Sequence, residues 1–285
     1  MPAPALTPLA ASLPETVPFV GPEAIERRTG IRVEARIGAN ESSFGPSPKA
    51  IAAITAATPE SWKYGDPEVY EVRQALARFH SIGMDEVSVG EGVDGLLGLC
   101  VRLFAGPGDI VVTSHGAYPT FNYHVTGFGA QLHAVPYRND HEDLDALLAA
   151  TLQTRAKIVY LANPDNPMAS WSSADAVTRF ADALPPTTLL LLDEAYGEFA
   201  PAGTLPPIDT ARPNVLRLRT FSKAYGLAGM RCGYAIGNNR LVRAFERVRN
   251  HFGVASVTQA AAIAALADQA YLGTVVSRTN AAKQR

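Results

Sequence analysis

The chain has few of the features that would place it in several other classes of protein. Its 285 residues include two cysteines, Cys100 and Cys232. Both lie in apolar stretches without the spacing of metal ligands, so we expect reduced thiols and a cytoplasmic location rather than a disulfide. No metal site is predicted, because no cluster of histidine, cysteine and carboxylate residues stands out.

Basic tracts and long apolar runs are also lacking. The formal net charge is −2, so binding to nucleic acid has little electrostatic support. No stretch approaches the roughly 18 apolar residues of a membrane span, and no membrane association is predicted. The proline-rich start lacks the basic segment of a signal peptide, and we expect an extended N-terminal arm over residues 1–35.

What the sequence does contain is a regular alternation of short apolar runs with helical patterns. Apolar residues make up 47% of the chain, enough for a substantial core. The run Leu189–Leu192 is typical of a strand covered on both faces. The alternation predicts an α/β fold, a three-layer αβα sandwich with a mostly parallel central sheet. The predicted strands are 86–90, 109–114, 131–137, 156–164, 188–196 and 214–222.

Polar and aromatic residues follow most of these predicted strands. In open parallel sheets, ligands bind at the carboxyl ends of the strands, so these residues are expected to converge on one site. The segments at the strand ends are Gly90–Asp94, Ser114–Tyr118, Asn163–Pro167, Asp193–Tyr196 and Ser222–Lys223.

Two charged residues at strand ends suggest chemistry. A partly desolvated lysine has a lowered pKa and can form a Schiff base with a carbonyl, although Lys223 taken alone is more typical of a solvated surface. Asp193 ends a run of four leucines, where a carboxylate needs a partner. That partner could be a protonated ring nitrogen, and a helix N-cap or a metal are the alternatives. Tyr196 lies three residues further on, in reach of the same ligand.

A second group of residues suggests an anion site. Gly92–Val93–Asp94 open a predicted helix, whose free N–H groups can bind phosphate, although glycine spacing alone is a weak signal. Ser222 and Arg231 would complete such a site, with a surface arginine as the alternative. Tyr118 could stack on a planar ring or pack in the core.

Six motifs, taken together, resemble one known family. They are "ARIGANESSFGPSP", "YGDPEVYEVRQALARFH", "VGEGVDGLL", "LANPDNPMASW", "LLLLDEAYGEF" and "RTFSKAYGLAGMRCGYAIG". In this order and spacing they resemble the fold-type-I aminotransferases of class I/II that depend on pyridoxal 5'-phosphate (PLP), and within them the histidinol-phosphate aminotransferase group. The resemblance covers roughly residues 35–270.

The resemblance implies a role for each matching residue. Lys223 would bond to PLP and move a proton, and Asp193 would pair with the pyridine nitrogen. Asn166, otherwise a turn residue beside proline, and Tyr196 would bind the ring oxygen, with Tyr118 stacked on the ring. The phosphate ligands would be Gly92, Val93, Asp94, Ser222 and Arg231. Tyr64 would reach the cofactor phosphate of the neighbouring subunit in a homodimer, and Asn40 and Tyr64 would face the substrate.

The chain departs from the family pattern in two places. Met168–Trp171 stand where the family continues with threonine and glycine. The resemblance also implies a large PLP-binding domain over residues 36–250 and only the start of a truncated small domain over 251–285. The arginine that clamps the substrate carboxylate in the family would then be missing.

The expected function is amino-group transfer between an amino acid or an amine phosphate resembling histidinol phosphate and a 2-oxo acid such as 2-oxoglutarate. One alternative is a related decarboxylase of the threonine-phosphate type. Another is a PLP-binding protein without efficient turnover, because of the missing arginine. A third is a nucleotide-binding α/β protein that uses Gly90–Gly92, although the full dinucleotide fingerprint is lacking.

Overall fold

The structure is a computed structural model that describes residues 4–15 and 19–284. The predicted N-terminal arm therefore includes residues, 1–3 and 16–18, that lie outside the described ones, and the predicted last domain includes Arg285, which does too. The start of the chain is not extended throughout, since Pro8–Ser12 and Pro22–Thr29 are helical. The division into arm, large domain and small domain stays a prediction.

One seven-stranded sheet organises the described residues. Its strands, in chain order, are β1 Val87–Gly90, β2 Ile110–Ser114, β3 Gln131–Val135, β4 Ile158–Ala162, β5 Leu189–Asp193, β6 Val215–Thr220 and β7 Gly233–Gly237. Their spatial order is β1-β7-β6-β5-β4-β2-β3. Strands β2 to β6 pair in parallel, whereas β7 is antiparallel to both of its neighbours. The predicted α/β class with a mostly parallel sheet is confirmed.

Helices occupy most of the connections between the strands. They are α1 Pro8–Ser12, α2 Pro22–Thr29, α3 Pro48–Ala57, α4 Tyr70–His80, α5 Gly92–Phe104, α6 Pro119–Gly127, α7 Leu144–Thr154, α8 Ala174–Ala183, α9 Asn239–Ala244, α10 Ser256–Leu266 and α11 Gln269–Lys283. Among the described residues, no single helix is long and apolar enough to cross a bilayer, and α10 with α11 pass that test only as a pair bent by 76°.

Alternating side chains of the buried strands form the three layers. In β4, Ile158 and Tyr160 pack with α5 and α6, while Val159 and Leu161 pack with α7 and α8 on the opposite face. On that opposite face, β1 and β7 contribute to a further cluster with α3, α4 and α10. Both faces of the sheet are therefore covered, which is why its strands read as continuous apolar runs. Cys100 and Cys232 are buried in these clusters as free thiols.

The sheet has a switch point at β2. This strand has β3 on one side and β4 on the other, and its registered pairs with β4 are only Val111–Ile158 and Val112–Val159. Because β2 continues to Ser114 and β4 to Ala162, the two strands separate toward their carboxyl ends. Ligands of open α/β sheets bind in the crevice that opens at such a point.

Strand β7 was not among the predicted strands. It is short and has a glycine at each end, Gly233 and Gly237, and glycine is depleted in strands. Close packing requires Gly233, since a Cβ there would lie 2.7 Å from the backbone nitrogen of Val93. The absence of that side chain lets β7 lie against the start of α5.

Candidate active site

Lys223 lies in the turn that follows β6, at the carboxyl edge of the sheet. It is half-buried, and its Nζ donates a hydrogen bond to the backbone oxygen of Ala39 at 2.8 Å. The same nitrogen is 5.4 Å from the ring centroid of Tyr196. Burial lowers the pKa of Lys223, Arg231 lowers it further, and the carboxylates of Glu41 and Asp193 act in the opposite direction. The lysine is thus held out of bulk solvent, in a form that loses its proton more readily than a surface lysine.

Asp193 is the last residue of β5 and is 5% exposed. Its Oδ2 accepts a hydrogen bond from the Tyr160 hydroxyl at 2.8 Å, and its Oδ1 accepts one from the backbone of Ala195 at 2.9 Å. Burial raises the pKa of Asp193 to about 6, even though both hydrogen bonds and Lys223 lower it. The group is a buried anion at neutral pH, suited to a cationic partner.

Tyr196 connects the floor of the site to a segment from the start of the chain. Its hydroxyl accepts a hydrogen bond from Nδ2 of Asn40 at 3.0 Å. Ala39, the partner of Lys223, belongs to the same segment. Two contacts therefore hold this segment over the strand ends.

An anion cradle lies at the start of α5. The N-cap Glu91 makes no side-chain hydrogen bond to the helix, so the first N–H groups, at Gly92–Asp94, have no helical partner. Arg231 points at the same place: its guanidinium donates to the backbone oxygen of Glu91 at 3.4 Å and to Ser222 Oγ at 3.5 Å. A Cβ at Gly92 would lie 2.5 Å from this guanidinium.

The cradle brings like charges together. A guanidinium lies beside the positive end of a helix macrodipole, and both favour the same anion. The Ser222 hydroxyl completes the set of donors, with its own nitrogen bonded to Thr220 Oγ1 at 3.1 Å. The arrangement can bind a phosphate group.

Tyr118 and Asn166 lie at the other strand ends. Tyr118 is the half-buried N-cap of α6, and burial raises its pKa, with Asp94 and Asp193 close enough to add to the rise. Asn166 is half-buried in the loop after β4. That loop is fastened by Asn163, whose side chain bonds to the backbone of Ser172 and Thr204.

One predicted residue does not join this cluster. Tyr64 is 80% exposed, and its ring stacks on Phe252 with 4.5 Å between centroids. Among the described residues of the single chain, the contacts of its side chain do not include a strand-end residue.

Three residues of the site were not identified from the sequence. Tyr160 bonds to Asp193, and a tyrosine inside an otherwise aliphatic strand was the available signal. His124, in α6, lies with Nε2 at 3.1 Å from Asp94 Oδ1 and so orients the Asp94 side chain at the start of α5. Ala39 acts through its backbone oxygen and left no signal in the sequence.

Comparison with known proteins gives a consistent result. The family model for aminotransferases of class I and II matches residues 35–285. A histidinol-phosphate aminotransferase of Anaeromyxobacter sp. is 41% identical over 94% of this chain and 75% of the relative. Histidinol-phosphate aminotransferase 2 of Pseudomonas aeruginosa is 38% identical over 90% of this chain and 70% of the relative. A crystal structure of histidinol-phosphate aminotransferase from Sinorhizobium meliloti in complex with pyridoxal-5'-phosphate superposes with a TM-score of 0.94 at 55% identity, over 98% of this chain and 75% of that one.

Proposed function

The chain belongs to the aminotransferase class I and II family, and we propose on that premise that its amino donor is histidinol phosphate or a similar amine carrying a phosphate group. It is a PLP-dependent aminotransferase, which moves an amino group from a donor to a 2-oxo acid. The proposed donor is supported by relatives named histidinol-phosphate aminotransferase at 34–41% identity. The alternative functions are not favoured. A threonine-phosphate decarboxylase matches at 20% identity, a level at which likeness indicates the fold alone.

The described residues fit PLP. Three groups at one edge of the sheet support this conclusion. They are the half-buried amine of Lys223, the buried carboxylate of Asp193 and the cradle of Arg231 with Gly92. An amine, an anion and an anion-binding cradle match the aldehyde, the ring nitrogen and the phosphate of this cofactor. When bound, PLP supplies a conjugated ring that takes up the electrons left when the donor's Cα loses a proton.

The proposed roles of the protein groups follow from their surroundings. Lys223 accepts the proton from the donor's Cα and later donates it again. Its lowered pKa makes a neutral amine available near the substrate for this step. Asp193 holds a proton on the ring nitrogen, since a buried anion stabilises a cation beside it.

The remaining roles concern orientation. Tyr196 and Asn166 orient the ring through its oxygen, and Tyr118 covers one ring face. The proposed phosphate ligands are Gly92, Val93, Asp94, Ser222 and Arg231. Asn40 is proposed to contact the substrate, because its segment covers the strand ends.

The donor is tested by half-reaction spectra of the PLP-loaded protein. Histidinol phosphate should convert bound PLP to its amine form with kcat/KM at least about a hundredfold above that of histidinol, because a site built for a phosphate is left with unpaired donors by a substrate that lacks one. Phosphothreonine serves as the comparison. Equal rates with histidinol, or release of carbon dioxide from phosphothreonine, would contradict the proposed donor.

Replacing Arg231 with glutamine should raise the dissociation constant for PLP about 10- to 100-fold. The change removes a charge-assisted contact and leaves the helix N–H groups in place. Equilibrium dialysis measures the constant. The matched control is Arg240→Gln, which removes an exposed arginine from α9 and should leave PLP binding unchanged. Equal binding by the two variants would remove Arg231 from the proposed phosphate site.

We also propose a homodimer in which Tyr64 reaches the cofactor phosphate of the other subunit. An exposed aromatic surface supports it: Trp62, Tyr64 and Phe252 are 78%, 80% and 45% exposed. Dissociating and reassociating an equal mixture of Lys223→Ala and Tyr64→Ala variants should restore about a quarter of wild-type activity, because half of the dimers then contain one intact site. Activity no higher than the average of the two variants would contradict this.

We further propose a cytoplasmic location, which the two buried free thiols support, since thiols persist in reducing compartments. Cell fractionation tests it, and recovery of the protein outside the cytoplasm would contradict it.

A further inference from the structure

A buried carboxyl group lies in the crevice between β2 and β4. Glu142, in the connection between β3 and α7, is 7% exposed. Its Oε2 accepts a hydrogen bond from Ser114 Oγ at 2.8 Å, and its Oε1 accepts one from the backbone nitrogen of Ala162 at 3.0 Å. Ser114 ends β2 and Ala162 ends β4, so Glu142 joins the two strands where they no longer pair with each other.

A second carboxyl group, that of Asp165, lies close enough to interact directly with the carboxyl group of Glu142. Asp165 is 5% exposed, and its Oδ2 accepts hydrogen bonds from the Tyr137 hydroxyl at 2.9 Å and from the Met168 nitrogen at 3.3 Å. Its backbone nitrogen also donates to Ser170 at 2.9 Å. These bonds shape the turn that contains Asn166, the proposed ligand of the PLP ring oxygen. The other oxygen, Oδ1, is fully buried and has no hydrogen-bond donor among the described residues.

The pair has no ion-pair partner in the part of the chain that the structure describes. Neither carboxyl group forms a salt bridge within residues 4–15 and 19–284, and neighbouring Arg138 pairs instead with Asp143. The other titratable groups that face the pair are the phenols of Tyr137 and Tyr160, and the carboxylate of Asp193 lies beyond Tyr160. Two full negative charges at this place would repel each other without relief, whereas one shared proton supplies the missing donor to the pair.

We propose that Glu142 and Asp165 share one proton and that the pair acts as a positioning device for Asn166 in the PLP site. This inference rests on the proposed function. With the proton present, the two groups attract each other and hold the turn of Asp165 against the ends of β2 and β4. Without it, the two anions repel each other, and the turn carrying Asn166 is the part free to move away from the sheet.

The proton should be lost at mildly alkaline pH. Burial, with Asp165 as the next cause, raises the pKa of Glu142 to about 8, and burial also raises the pKa of Asp165. Because the pKa of the folded state is the higher one, this stabilisation is complete below the unfolded value and is lost as pH rises through the folded value. The pair should therefore hold its proton at neutral pH and release it in the alkaline range.

Infrared spectroscopy of the cofactor-free protein at neutral pH tests the shared proton directly. The spectrum should contain a carbonyl component of a protonated carboxyl group that disappears in Glu142→Gln and also in Asp165→Asn, since either change removes the sharing. Glu246→Gln, an exposed glutamate, should leave it intact. A wild-type spectrum without such a component, or one from which neither pair variant removes a component, overturns the proposal.

The positioning role is tested by PLP affinity against pH in a Lys223→Ala background, where binding is not complicated by the lysine. Between about pH 7 and about pH 9.5 the affinity should fall about tenfold. Adding Glu142→Gln, which keeps the shape and cannot ionise, should preserve the affinity at pH 7 and make the fall clearly smaller. Glu142→Ala should bind PLP weakly at every pH, because Ala162 loses its acceptor.

Parallel profiles with and without Glu142→Gln, or a flat profile in the background variant, would overturn the positioning role. Asp165→Asn provides a second variant should Glu142→Gln not fold, and its fall should be reduced to the same extent. Failure of every variant to bind PLP at any pH would count against the proposed function, and the infrared spectrum of the cofactor-free protein would then decide the shared proton by itself.

Discussion

Replacing Lys223 with alanine should lower the rate of amino transfer by about a thousandfold or more. The change removes the only amine that lies beside Asp193 and Tyr196 among the described residues, and with it both the proposed covalent attachment of PLP and the proposed proton carrier. PLP should still bind, because the cradle at Arg231 and Gly92 is untouched. Steady-state assays with histidinol phosphate and 2-oxoglutarate measure the loss, and the visible absorbance of bound PLP should shift.

The matched control for this variant is Lys157→Ala. Lys157 is an exposed lysine immediately before β4, at the opposite edge of the sheet. Its removal should leave both activity and absorbance unchanged. A Lys223→Ala protein that keeps a tenth or more of wild-type activity would show that another group moves the proton.

Replacing Glu194 with glutamine should destabilise the protein by about 3–5 kcal/mol, the range measured when one partner of a buried ion pair is removed. Glu194 is 0% exposed and follows Asp193 directly. Its Oε1 accepts from Arg217 Nη2 at 2.6 Å and its Oε2 accepts from Arg219 Nε at 2.9 Å. Glutamine keeps the volume but removes the anion that pairs with both guanidinium groups. The melting temperature should fall by roughly 10 °C.

Glu246→Gln provides the comparison for this loss. Glu246 also pairs with an arginine, Arg249, but its side chain is 54% exposed, and such a pair contributes about 1 kcal/mol or less. Urea unfolding measures the stability of the two variants. Repeating it with and without PLP separates effects on folding from effects on cofactor binding. If Glu194→Gln were no less stable than Glu246→Gln, the ion pairs of Glu194 with Arg217 and Arg219 would not stabilise the protein.

Much of the fold and of the candidate site could be predicted because the signals are local. The run of leucines before Asp193 indicates a strand buried on both faces, and the rule that ligands bind at strand ends then selects Asp193 and Lys223 together. The structure has both residues at the carboxyl edge of the sheet, half-buried or buried. Their assigned roles remain proposals.

What the sequence did not predict depends on contacts between distant segments. Strand β7 has glycines at both ends because Gly233 packs against the start of α5 and Gly237 against β6, contacts that no local pattern encodes. The pairing of Glu142 with Asp165 depends on the separation of β2 from β4, and each residue alone reads as an ordinary loop carboxylate. Ala39 contributes a backbone oxygen, which every residue has, so its sequence carries no information about the contact with Lys223.

The insertion of β7 between β1 and β6 also determines when the cradle can exist as the protein folds. Glu91 and Arg231 are 140 positions apart in the chain, and they meet only once β7 has paired with β1, a strand made much earlier. Strand pairs so far apart in the chain form late in folding, because closing a long loop costs conformational entropy. A nascent chain that still lacks β7 therefore has not yet assembled the cradle, which marks the completion of the sheet rather than its beginning.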